Sequence, residues 1–314
     1  MRETLEPQLE AATPDADPVG ILTSGVGHYE NFPVASLLSP PYLRPAIKAL
    51  YRFARTADDM ADEGKIAATT RLEALSQYRR ALDQCMGRST YQGSAWPQVF
   101  GPLAGIIQRY RLPEQPLHDL ISAFEQDVRY TAAQRIYRNE AELLRYCELS
   151  ANPVGRLLLH LYGVTDTASI AESDQICSAL QLINFWQDVR EDAQQGRFYL
   201  PIPAFAHAGL DPKDLLAVQA GSVQGARLSE AILALARQAR SRMESGSPLA
   251  LRLPGRAGLE LRLVVHGGLR ILDHIEAMAG QTWAQRPRLK AMDYPVMAWR
   301  VMRYRHWAGQ VTNP

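Results

Sequence analysis

The chain has 314 residues, 46% of them hydrophobic and 21% charged, with 34 Lys plus Arg against 33 Asp plus Glu and a formal net charge of +1. That is ordinary globular usage, which excludes a disordered or fibrous chain, and the balanced charge supplies no field for nucleic acid. Three widely spaced cysteines, Cys85, Cys147 and Cys177, make neither a disulfide framework nor a paired zinc motif, so a reducing, cytoplasmic compartment is expected, and no apolar run is long enough for a spanning helix.

Residues 1–24, rich in Pro, Thr, Asp and Glu, read as a flexible leader. From residue 25 to 280 strand-like alternation is almost absent and helical periodicity is everywhere, so one all-α domain is expected. From Tyr42 to Glu63 the apolar residues Leu43, Ile47, Leu50, Ala54, Ala57 and Ala61 recur in steps of three and four and define one helix face. Helices are also expected over 71–86, 99–110 and 117–130. A further run, 140–162, contains Pro153, which should kink it because proline lacks an N–H and clashes with the preceding turn. Residues 171–192 have little polar surface in the middle and belong at the centre. Helices over 224–244 and 258–279 follow, with 246–255 as a loop. Residues 281–314 form a basic, aromatic extension.

Of 16 aspartates, only Asp58/Asp62 and Asp188/Asp192 are spaced i, i+4. That spacing puts each pair on one helix face, about 6 Å apart. Like charges so placed destabilise a helix unless a cation joins them, and Mg²⁺ prefers one or two carboxylates with phosphate oxygens and waters. A solvated acidic face is the plainer reading of any single pair, but the surroundings argue for a site. At roughly 100° per residue, Tyr51, Arg55, Asp58 and Asp62 fall within an arc of roughly 60° beside the apolar stripe, hence half-buried. Gln181, Asn184, Asp188 and Asp192 share an arc of roughly 80° on the most apolar helix, where amides need partners. Asn184 can add an oxygen ligand, and Arg197 follows closely enough to meet phosphate oxygens.

These patterns carry a resemblance. Tyr51-x-x-x-Arg55-x-x-Asp58-Asp59-x-x-Asp62, Gln181-x-x-Asn184-x-x-x-Asp188-x-x-x-Asp192 and Gly196-Arg197-x-Tyr199-Leu200-Pro201 resemble the squalene/phytoene synthase family of head-to-head prenyl synthases. His28–Ser36, Ser150–Gly155 and Asn184–Val189 are similar to its hydroxysqualene synthase branch in bacterial hopanoid pathways. The resemblance implies a single class I isoprenoid synthase helical domain around a cavity, with Mg²⁺ held by Asp58, Asp62, Asn184, Asp188 and Asp192. The implied reaction converts presqualene diphosphate and water to hydroxysqualene and diphosphate. Many relatives carry Arg where this chain has Gln187, a departure that removes one cation near the second motif.

The resemblance makes His28 a diphosphate contact, where a surface or capping histidine is the plainer reading. Tyr146, one turn before Ala151 and Pro153, can stabilise a cation through its ring face, although core packing explains it equally well. Phe32, Ala151, Val154 and Phe185 are ordinary core residues or the walls of an apolar tunnel; Asn31, Gln181 or Asn184 can position the water. The extension, with Arg286, Arg288, Lys290, Arg300, Arg303 and Arg305 among Trp and Tyr residues, packs on the body or lies at the inner face of a membrane. Alternatives kept open are condensation of farnesyl diphosphate to presqualene diphosphate, complete squalene or phytoene synthesis, and a non-catalytic helical assembly factor. Neighbouring enzymes of the hopanoid pathway are the expected protein partners.

Overall fold

The apolar steps that mark helices in the sequence become buried faces in the protein. The computed structural model describes residues 39–64, 66–87, 96–304 and 308, all within the compact unit 31–314. The leader 1–24 and His28, Asn31 and Phe32 lie outside the described residues, as do Arg305 and Trp307.

Among the described residues the structure is helical, with no strand. The order is α1 (Arg44–Asp62), α2 (Ala68–Met86), α3 (Pro97–Tyr110), α4 (Gln115–Ala132), α5 (Glu140–Ser150), α6 (Asn152–Leu161), α7 (Thr167–Gln187) and α8 (Val189–Gln194). Then come α9 (Ile202–Ala208), α10 (Val223–Gly246), α11 (Leu249–Arg252), α12 (Gly255–Ala277) and α13 (Asp293–Met302). α1 buries Ile47, Leu50, Ala54, Ala57 and Ala61 of the expected stripe, with Phe53 beside them and Asp58 at the edge, and Leu43, the stripe's first residue, is buried just before the helix. α7 is the central helix. It buries Ile176, Leu182, Ile183, Phe185 and Trp186, and its most extensive packing is against α10. Side-chain caps start the helices where unpaired N–H groups need acceptors: Asn139 accepts from Glu142 N–H at 2.9 Å, Asp166 from Ser169 N–H at 2.8 Å and Ser222 from Gly225 N–H at 3.0 Å.

Three expected elements are corrected. The 140–162 run is broken, not kinked: α5 ends at Ser150, Ala151 is the junction, and Pro153 sits in the first turn of α6, where its missing N–H costs nothing. The 171–192 helix is interrupted at Asp188, whose φ of −104° and ψ of 16° separate α7 from α8, although Asp188 N–H still reaches Asn184 O at 2.9 Å and Asp192 N–H reaches Asp188 O at 2.8 Å. The expected loop 246–255 contains α11.

Candidate active site

α1 carries the first aspartate pair at its C-terminal end, and the α7–α8 junction carries the second. Asp58 is buried and Asp62 more open, so the half-buried strip expected from the helical arc is present. Arg55, one turn earlier, pairs with Asp58 at 3.2 Å, Asp59 at 2.7 Å and Glu63 at 3.3 Å, and Tyr51 is half-buried on the same strip.

Arg197 joins the two motifs. α8 ends in a left-handed residue, Gly196, at φ 73°. Gly196 N–H donates to Ala193 O at 3.0 Å and Arg197 N–H to Asp192 O at 2.9 Å, the two hydrogen bonds of a Schellman motif. This turn returns the chain over α8. Arg197 Nη1 then meets Asp62 Oδ2 on α1 at 2.5 Å, while its Nε stands 3.6 Å from Asp192 Oδ1. Its other nitrogen donates to Gln195. The guanidinium expected to meet phosphate is thus buried between carboxylates of both motifs.

A cation also stands beside Asp188, where Gln187 pointed to one fewer. Arg286, from the segment between α12 and α13, donates to both oxygens of Asp188, one contact at 3.1 Å, and pairs with Glu191 at 3.3 Å. Buried Gln187 helps to hold that segment, its amide donating to Pro287 O at 2.8 Å. Charge is therefore restored by a residue 98 positions away, which no local spacing reveals.

Burial and crowding of like charge dominate the electrostatics. Burial first, then Asp62, pushes the Asp58 carboxyl up to about 8, with Arg55 offsetting part of the effect. Asp188 is raised by burial, against the pull of Arg286. Asp192 is raised far more, by burial, with Arg197 opposing and Asp188, Asp127 and Asp62 adding. Asp192 Oδ1 is buried and accepts no hydrogen bond. An unsatisfied acceptor among mutually repelling carboxylates is a place where a hard divalent cation fits. Among the described residues no three acidic, His or Cys side chains are gathered closely enough to hold an ion alone. One or two carboxylates with diphosphate oxygens meet the need.

Sequence reading missed Asp127. It lies on α4 three residues after Phe124 and seven after Leu120, and so falls on the buried face; an acid on that apolar stripe was the available signal. It accepts hydrogen bonds from Tyr146 Oη and, at 3.2 Å, from Tyr199 Oη. Tyr199 stacks on Phe185 with ring centres 3.8 Å apart. Tyr146 is therefore part of an aromatic layer with Tyr137, Tyr199 and Phe185.

An apolar cleft lies toward the opposite ends of the same helices, lined by Ile47, Val154, Leu158, Ile176, Cys177 and Leu180, and none of the four motif aspartates lines it. Ile47 precedes Asp58, and Cys177 precedes Asp188, by eleven residues each, or roughly 16 Å along a helix. Val154 is one of the cleft walls, and Ala151 is buried at the α5–α6 junction. Gln181 and Asn184 are half-buried on the stretch of α7 between cleft and aspartates. Ser39 Oγ donates to Glu260 Oε2 at 3.2 Å as a polar patch in the cleft wall.

Comparison with known proteins shows the family. A family model described as squalene/phytoene synthase matches residues 26–293. A hydroxysqualene synthase of Rhodopseudomonas palustris is 32% identical over 301 residues, covering 93% of this chain and 97% of the relative. A phytoene synthase of Mycobacterium tuberculosis is 33% identical, but over 171 residues, 54% of this chain and 53% of the relative. The crystal structure of squalene synthase HpnC from Alicyclobacillus acidocaldarius superposes with a TM-score of 0.68 at 31% identity, covering 80% of this chain and 90% of that one. The chain belongs to the squalene/phytoene synthase family of all-α enzymes acting on prenyl diphosphates.

Proposed function

We propose that the protein is a hydroxysqualene synthase: it ionises presqualene diphosphate, lets the carbocation rearrange, and ends the reaction with water. The observation that carries this reading is the Arg197 bridge between Asp62 and Asp192, which gathers both carboxylate motifs at one end of a helix pair whose other end is an apolar cleft. Similarity to a hydroxysqualene synthase at 32% identity along 93% of the chain favours this branch over phytoene synthesis, whose relatives match 54% of the chain at 33% identity or 87% of it at 27%.

Asp58, Asp62, Asp188 and Asp192, with the side-chain oxygen of Asn184, are the residues that would hold Mg²⁺. The ion would offset charge developing on the departing diphosphate. The protein's own cations act in the same place. Arg55, Arg197 and Arg286 are ion-paired to the motif carboxylates, so a diphosphate arriving there meets guanidinium donors already oriented. Ile47, Val154, Leu158 and Leu180 supply a water-poor surface for the hydrocarbon. The aromatic layer of Tyr146, Tyr199 and Phe185 presents ring faces for a cation.

The test is product analysis. Purified protein with Mg²⁺ and presqualene diphosphate should give hydroxysqualene without NADPH, with label from H₂¹⁸O in the hydroxyl. Squalene formed only with NADPH, or presqualene diphosphate accumulating from farnesyl diphosphate and going no further, would replace this reading by the corresponding relative's reaction.

Contact with a membrane surface completes the proposal. Among the described residues no helix is long and apolar enough to cross a membrane. α13 and its approach expose Met292, Trp299 and Met302, at 79%, 53% and 78%, with Arg303 stacked 5.1 Å from the Trp299 ring. Arg300 is engaged by Asp273 at 2.9 Å, so Arg303 and Trp299 carry the docking. Binding to anionic vesicles should weaken with salt and in Trp299→Ala and Arg303→Ala; equal binding of both variants to neutral vesicles would reject this part.

A further inference from the structure

Asp127 lies outside both aspartate motifs, yet the fold gives it two phenol donors. Tyr146 Oη on α5 donates to Oδ2, and Tyr199 Oη, just beyond α8, donates to Oδ1 at 3.2 Å. Gln126, the residue before it, is tied to Tyr137 Oη at 3.4 Å, and the Tyr137 ring lies 5.9 Å from that of Tyr146 and 6.1 Å from that of Tyr199. Both carboxylate oxygens are thus held by neighbours that can themselves pass a proton. A purely structural carboxylate on an apolar helix face would gain more from a fixed cation, and no salt bridge to Asp127 occurs among the described residues.

Water capture of a carbocation releases a proton, and a buried site needs a place to put it. We propose that Asp127 accepts this proton through Tyr146, and that it positions Tyr146 to orient the capturing water. This rests on the hydroxysqualene synthase reading above. The water oxygen forms the C–O bond with its lone pair. One O–H bond of the resulting oxonium breaks, and its proton goes to Tyr146 Oη. The phenol's own proton passes to Asp127 Oδ2, leaving a neutral alcohol, a neutral Tyr146 and a neutral Asp127.

The surroundings suit an acceptor at neutral pH. Burial pushes the Asp127 carboxyl up to about 7, opposed by the Tyr146 and Tyr199 hydrogen bonds and by Arg197, and assisted by Asp62. The groups that face it are Tyr146 on α5, Tyr137 on the loop before α5, Tyr199 and Arg197 after α8, Asp62 on α1 and Asp192 on α8. A carboxyl poised near the working pH is what general-base chemistry requires.

The test uses the full chain with Mg²⁺ and presqualene diphosphate, with products quantified from pH 5.5 to 9. The wild-type reaction tests the reading; the variants test the relay. Asp127→Asn should keep KM and its melting transition but lower the rate of hydroxysqualene formation about 100-fold. It should also lose the acidic limb of the rate profile. Tyr146→Phe should do the same, and the double variant should be no worse than either single one. Asp127→Glu should recover part of the lost rate. A folded Asp127→Asn protein with wild-type rate and pH profile, or losses that simply multiply in the double variant, overturns the relay. If Asp127→Asn shows no cooperative melt, Tyr146→Phe decides: an unchanged rate and acidic limb overturn the proposal, and their loss supports it.

Discussion

The two ends of the α1–α7 pair are opposite solvents. At one end carboxylates are packed so densely that burial raises the carboxyls of Asp58, Asp188 and Asp192, and guanidiniums from distant segments are needed among them. About 16 Å back along each helix the walls are aliphatic. On the proposed function, this contrast would orient a diphosphate ester with a long hydrocarbon before any chemistry. Each half of the substrate is repelled by the end that suits the other. One helix makes both ends because the apolar stripe of α1 runs its full length, while the polar strip that includes Asp58 and Asp62 lies on the stripe's edge near the C-terminus.

The sharpest way to break the comparison is to discharge the polar end. Asp58→Asn or Asp188→Asn should reduce turnover at least about 100-fold at saturating Mg²⁺, with helicity by circular dichroism unchanged. Excess EDTA should abolish turnover of the wild type. Full activity in EDTA would sink the assignment of this end to metal and diphosphate.

Next in size is the bridge. Arg197→Met removes the cation between buried Asp192 and Asp62, leaving uncompensated charge, and should cost about 3 kcal/mol by urea denaturation at pH 8 without metal. A smaller loss at pH 5 than at pH 8 would tie the cost to charge. Equal loss at both values would assign it to packing.

The apolar end should fail differently. Val154→Phe or Cys177→Phe narrows the cleft and should raise KM for presqualene diphosphate about tenfold, leaving the Mg²⁺ requirement unchanged. Loss of Mg²⁺-dependence in these variants would mean that the two ends are not separate.

The smallest effect is thermodynamic. Asp58 holds its proton up to about pH 8 when folded, but releases it near pH 4 when unfolded. Between those values the native state binds more protons, so this group's contribution to stability is greatest at low pH and is lost as pH rises through 8. In EDTA the melting temperature should therefore fall from pH 5 to 8. Mg²⁺ should flatten that slope, and Asp58→Asn should be more heat-stable than wild type at pH 8. A melting temperature independent of Mg²⁺ at pH 8 would contradict this balance.

The sequence alone determined most of the helical runs and which aspartates lie one turn apart, though not the breaks at Ala151 and Asp188, because a 3.6-residue period is local while a break depends on packing. It put Asp58 and Asp62 at the edge of the α1 stripe and Val154 among apolar neighbours, while Asp188 stands at a helix break that its spacing did not show. It marked Arg197 but not its position between the motifs, which depends on a left-handed glycine turn folding back onto a helix 135 residues distant. Arg286 was legible only as part of a basic extension, and Asp127 only as an acid beside an apolar stripe. A guanidinium that neutralises Asp188 from the far end of the chain, and a carboxylate whose partners are tyrosines on other segments, have no spacing to read. Only packing decides which charges are buried together. That decision also sets their proton affinities, because burial and the neighbouring charges are properties of the assembled helices rather than of any one of them.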